Sequence, residues 1–142
     1  MSDREVVFWG AMRVGAMTRK APSGARGRRV QIAASAAQDA LPSLIGRLLT
    51  CNHDGIVLGR INRVRLCGEW LFIAGSGKRD LLRLRHQGLS WKAKDCQVCW
   101  RSNTVRSFSR WDDVAVVVNP ASHGTMLKVI ADRKSWWRRL LG

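Results

Sequence analysis

The chain is expected to be an α+β protein: a small antiparallel sheet or partly open barrel, flanked by a short helix and a C-terminal amphipathic helix. Three observations predict this. Between residues 55 and 119, short β-like runs alternate with turn residues at a spacing of roughly 8 to 12. Leu41, Leu44, Ile45, Leu48 and Leu49 precede them at helical spacing. Met126, Leu127, Ile130, Trp137, Leu140 and Leu141 follow them as a second stripe. With 142 residues and 46% apolar side chains, one core is the expected organisation. It divides into a basic arm over residues 1–29, a core over 30–120 and a helix over 121–142.

Residues 13–29, "RVGAMTRKAPSGARGRR", hold Arg13, Arg19, Lys20, Arg26, Arg28 and Arg29 and no acid. Such a stretch buries too little apolar area to offset its ordering entropy, which predicts a mobile arm. Pro42 fits only near a helix start, so the short helix is expected from about Leu41, with "SAAQDA" looser. The strand candidates follow: "GIVLGRINRVRLC", "EWLFIA", "DLLRLRH", "LSWKAK", "TVRSFS" and "DVAVVVN". Strands alternate faces. Arg63 and Arg65 then share one face against Val64 and Leu66, Arg83 and Arg85 oppose Leu82 and Leu84, and Lys92 sits with Lys94. An apolar inner face and a basic outer face would thus repeat in three strands. The terminal stripe carries Lys128, Arg138 and Arg139 off its apolar side, as a surface helix would.

"GEWLFIAGSGKRDLL" has the texture of a phosphate-binding loop, but its chemistry is wrong. A P-loop needs a glycine where Phe72 stands and a hydroxyl where Arg79 stands. "GSGK" is therefore expected to be a hairpin turn.

Twenty-five Lys and Arg against ten Asp and Glu give a formal net charge of +15, and all but six of the cations are Arg. That field favours polyanions, and the guanidinium fork matches phosphate. Trp91, Trp100 and Trp111 lie among Lys92, Lys94, Arg101, Arg106 and Arg110, an interleaving suited to stacked bases and paired phosphates. The expected function is non-catalytic nucleic-acid binding, RNA before DNA. Arg63, Arg65, Arg83, Arg85, Lys92 and Lys94 would form the phosphate track, with the arm adding affinity. The composition suits a small viral or mobile-element accessory or regulatory factor. The alternative is an interaction protein that docks a protein partner or an anionic membrane through residues 122–142, using Trp136, Trp137, Arg138 and Arg139.

Cys96 and Cys99 form a C-x-x-C pair, a candidate half of a zinc site, with Cys67 and His86 as completing ligands and Cys51 and His53 as further candidates. Catalysis has no local motif. Asp112 and Asp113 are adjacent, so a strand points them apart. His53, His86 and His123 have no catalytic partner nearby in sequence. The expectation is that the protein is not an enzyme. No run of about 18 apolar residues predicts a membrane span, and a charged first segment argues against a secretory signal, so an intracellular location is expected.

Overall fold

The computed structural model describes residues 5–22, 25–84, 87–118, 120 and 125–130. These contain β1 (Glu5–Arg13), β2 (Gln31–Ile32), α1 (Ala34–Ala40), β3 (Leu48–Cys51), β4 (Val57–Cys67), β5 (Trp70–Lys78), β6 (Gly88–Lys94), β7 (Gln97–Cys99), β8 (Thr104–Ser107), β9 (Arg110–Val117) and β10 (Met126–Ile130). Seven strands form one sheet in the order β10-β1-β5-β4-β3-β9-β6, and β2-β8-β7 form a smaller one. In the large sheet every neighbouring pair is antiparallel except β3 with β9, which run parallel. The sheet curls into a half barrel, and its end strands approach without pairing. The protein is mostly β, and the partly open barrel was correctly anticipated.

The apolar interior of the curl explains its cohesion. Phe8, Met12, Leu44, Leu49, Ile61, Leu71, Ile73, Leu81, Leu89, Trp111, Val114 and Val116 are all fully buried. Each such side chain contributes about 1.5–3 kcal/mol on leaving water.

The helical elements differ from expectation. Helix α1 falls on "ASAAQDA", the segment expected to be loose. Alanine is the strongest helix former, and Ala36, Ala37 and Ala40 bury their small faces, with α1 lying against β8. Pro42 opens a 3-10 turn, Leu41–Leu44, after which Ile45 turns extended. Leu48 and Leu49 therefore belong to β3 and not to a helix. A short apolar run satisfies either period, and tertiary pairing decided between them. Met126–Ile130, expected as helix, is β10 and pairs with β1. The rest of that expected helix lies outside the described residues, as do Arg85 and His86.

"RDLLRL" is a 3-10 helix, Arg79–Leu84, with Leu81 buried and Arg83 3.4 Å from Asp80. The basic-outside strand pattern loses this member. It survives in β4, where Arg63 and Arg65 are exposed, and in β6, where Lys92 and Lys94 are exposed.

"GSGK" is not a turn but the continuation of β5, and the hairpin from β4 turns at Gly68 instead, with φ +60°. The glycines serve close approach. A bulge in β4 beside Ile61 brings the backbone of Arg60 against Gly75, leaving no room for a Cβ, with Phe8 on the same spot. Gly75→Ala is expected to destabilise the fold by about 1–3 kcal/mol. Urea unfolding read by tryptophan fluorescence checks this.

Within the basic stretch, Gly15 donates to the Ile32 carbonyl at 2.8 Å and Thr18 to that of Val30 at 2.7 Å, while Val14, Ala25 and Val30 are buried. Arg13 pairs with Glu69 at 2.8 Å.

Candidate active site

The outer face of β3, β9 and β6 carries the site, and strand register builds it. Ser90 on β6 pairs with Ala115 on β9, and Thr50 on β3 pairs with the same Ala115. Residues paired across a ladder share a face, so Thr50, Ala115 and Ser90 project together. Leu49, Val114, Val116 and Leu89 face the core from the opposite side.

Simple alternation would put Asp113 on the same side as Trp111. A bulge prevents this. Lys92 pairs with Asp113 but Ala93 pairs with Trp111, so Asp112 has no partner. The extra residue sends Trp111 into the core, fully buried, while Asp113 keeps the outer face that Ala115, two residues on, also takes. Asp113 is then the diagonal neighbour of Ser90, about 7–8 Å away along the sheet, a gap that one imidazole can span.

His53 fills that gap. It sits in the turn between β3 and β4, where Asn52 and His53 both take left-handed backbone angles, φ +53° and +59°. Non-glycine residues seldom adopt that conformation, and here a local network holds it. Asn52 N–H donates to the Val116 carbonyl, Asp54 N–H to that of Cys51, and the Asp54 carboxylate accepts from Ile56 N–H.

The result is a continuous chain of contacts. His53 Nδ1 lies 2.9 Å from both carboxylate oxygens of Asp113, and His53 Nε2 lies 2.9 Å from Ser90 Oγ. An ionised carboxylate can only accept, so Nδ1 carries the proton and Nε2 is left to accept from the Ser90 hydroxyl. Thr50 Oγ1 donates to Asp113 Oδ2 at 3.0 Å, fixing the carboxylate from behind. Thr50 is the one buried polar side chain among the described residues. The side chains of His53 and Asp113 are each about a quarter exposed, at 27% and 24%, so the array opens to solvent without being flooded by it. Geometry of this kind makes a serine hydroxyl nucleophilic through an adjacent, oriented base.

Ser90 and Asp113 were not anticipated as site residues, and His53 was anticipated only as a further candidate zinc ligand. His53 and Asp113 are 60 positions apart and His53 and Ser90 are 37 apart. The order His, Ser, Asp carries no local spacing, and only the β6–β9 register and the turn between β3 and β4 bring them together.

The residues expected to grip nucleic acid are dispersed. Trp111 is not a stacking platform: its ring is buried edge-on to Phe108 at 4.7 Å and to Trp91 at 5.6 Å. Trp91 packs half-buried against the core. Trp100 is covered by the chain's own cations, Arg26 at 4.9 Å and Arg28 at 5.9 Å. Arg28 also donates to the Trp100 carbonyl, and Arg29 to that of Thr18. Arg19, Lys20, Arg101 and Arg106 are exposed, and Arg110 lies 3.8 Å from Asp112.

Among the described residues, no group of three or more His, Cys, Asp or Glu converges as metal ligands. Cys67 ends β4, whereas Cys96 and Cys99 flank and close β7 in the other sheet. The two thiols of the C-x-x-C pair are unlike each other. Hydrogen bonds from the Ser102 side chain and from the Ser102 and Arg101 backbone lower Cys99 to about 7, with Arg106 adding to the effect. Burial, then the charge of Asp95, raises Cys96. Since the thiolate is the reactive form, Cys99 alkylation by iodoacetamide is expected to rise with pH and reach half its maximum near pH 7. Cys96 should require alkaline solution. Mass spectrometry of the labelled peptides across pH 5–10 reads both.

No helix of the described residues is long and apolar enough to cross a membrane. Among solved structures, the chain is similar to the protease of varicella-zoster virus, with a TM-score of 0.55 and 16% sequence identity. The match covers 91% of this chain and 66% of that one, so the chain spans just under two thirds of the protease's length. No protein-family model and no curated protein matches the sequence. The likeness is one of fold. It overturns the expectation of a non-catalytic nucleic-acid-binding protein, and with it the expectation that the protein is not an enzyme, because the fold is shared with a protease.

Proposed function

We propose that the protein is a serine hydrolase acting on peptide bonds, with Ser90 as nucleophile, His53 as general base and acid, and Asp113 as the group that orients His53. The carrying observation is the unbroken contact from Asp113 through His53 to Ser90, with both bonds at 2.9 Å. The likeness of the fold to a viral protease supports peptides as the substrate class.

In this reading Ser90 Oγ attacks the scissile carbonyl carbon while its proton passes to His53 Nε2. Asp113 stabilises the imidazolium that results. The tetrahedral intermediate collapses, the amine leaves with the proton from His53, and an ester to Ser90 remains. Water then attacks the ester, His53 takes its proton and returns it to Ser90, and the carboxylic acid departs. Thr50 positions this machinery by holding Asp113 and touches no reacting atom.

The test is digestion of a complex peptide mixture by the full chain, read by mass spectrometry. New termini that vanish when the protein is pretreated with a serine-directed phosphonate support the reading. An unchanged peptide mixture contradicts it.

A further inference from the structure

We infer that the substrate is an acidic peptide whose carboxylate side chains, at alternate positions on one side of the scissile bond, are taken by Lys92 and Lys94. The inference rests on the hydrolase reading above and deepens it.

The register carries the argument. The bulge lies on β9, so alternation along β6 is uninterrupted and Ser90, Lys92 and Lys94 project from one face. Both lysines are exposed, and neither forms an ion pair among the described residues. Arg110 stands directly opposite Lys94 in the ladder. Like charges in that arrangement repel, a cost that an anion bound between them removes. Arg110 is itself under-used: among the described residues its buried Nε has no hydrogen-bond partner, and its ion pairing is limited to the 3.8 Å approach to Asp112.

The edge geometry agrees. Among the described residues β6 pairs with β9 alone. Thr125 and Pro120 crowd Gly88, and Leu89 packs against Gly10 of β1, whereas among the described residues no strand lies beside Lys92 and Lys94 on the flank away from β9. An extended peptide rises about 3.2–3.4 Å per residue, so residues two apart are spaced like Lys92 and Lys94. Strand addition along this edge would set every second substrate side chain beside a cation. The net charge of +15 draws acidic segments toward the site from a distance.

Internally quenched peptides sharing one cleavable core, with Glu, Gln or Lys at alternate flanking positions, test this on the full chain. The Glu series is expected to show kcat/KM about tenfold above the Gln series at low salt, converging as salt screens the pairs. A Lys92→Glu, Lys94→Glu double variant is expected to reverse the order of the Glu and Lys series. The salt dependence of the unaltered chain stands as the readout if that variant fails to fold. Equal rates, or a preference for Lys, in a protein that cleaves and is labelled at Ser90 overturn this inference alone. Absence of both cleavage and labelling removes the hydrolase reading and this inference with it.

Discussion

Ser90→Ala is expected to lower peptide hydrolysis by about four to six orders of magnitude, to the edge of detection. The hydroxyl oxygen is the atom that forms the ester, and no neighbouring side chain can replace it. His53→Ala should cost a similar amount, because without Nε2 the Ser90 proton has no acceptor. The double variant should be little worse than either single one. The two residues perform one step, and removing either ends it. Ser90 is partly exposed on an outer sheet face, so its loss should leave thermal unfolding close to that of the unaltered protein. Steady-state kinetics on one quenched peptide, beside a thermal melt, separates a catalytic loss from a folding defect.

Asp113→Asn is expected to reduce kcat by about four orders of magnitude while leaving the shape of the site intact. The carboxylate only accepts, and this places the imidazole proton on Nδ1. An amide can present its NH2 group to Nδ1 instead. His53 then protonates at Nε2, where it can no longer accept the Ser90 hydroxyl. The amide also carries no charge to stabilise the imidazolium. Thr50, fixed on β3 by its pairing with Ala115, would keep the side chain in place through its hydroxyl. The check is a kcat–pH profile: activity in Asp113→Asn should recover in part as hydroxide takes over the role of base. A variant with undiminished kcat would show that His53 is oriented by something else.

Much of the scaffold could be read from the sequence, and the site could not. The alternation in "RINRVRL" and "LSWKAK" marked β4 and β6 because one face of each meets the core and the other meets water. "GSGK" misled because its glycines answer the backbone of the neighbouring strand, Arg60 at Gly75 and Leu58 at Gly77, a closeness that no local pattern reveals. "LLRLR" misled because Leu81 is held in a 3-10 turn by tertiary burial that no period reveals. The tryptophans looked like a binding surface, yet Trp111 is buried by a bulge at Asp112 that the sequence does not announce. The same bulge separates Trp111 from Asp113, which stays on the outer face with Ala115. Composition pointed to charge and aromatic rings, while the chemistry depends on three ordinary polar residues that meet only through register.

Reaction with a fluorophosphonate, followed by intact-mass measurement and peptide mapping, decides whether Ser90 is an activated nucleophile. A single adduct on Ser90 is expected, formed in the folded protein, absent after denaturation and absent in His53→Ala. No adduct, or adducts spread over other serines at the rate seen in denatured chain, would contradict it.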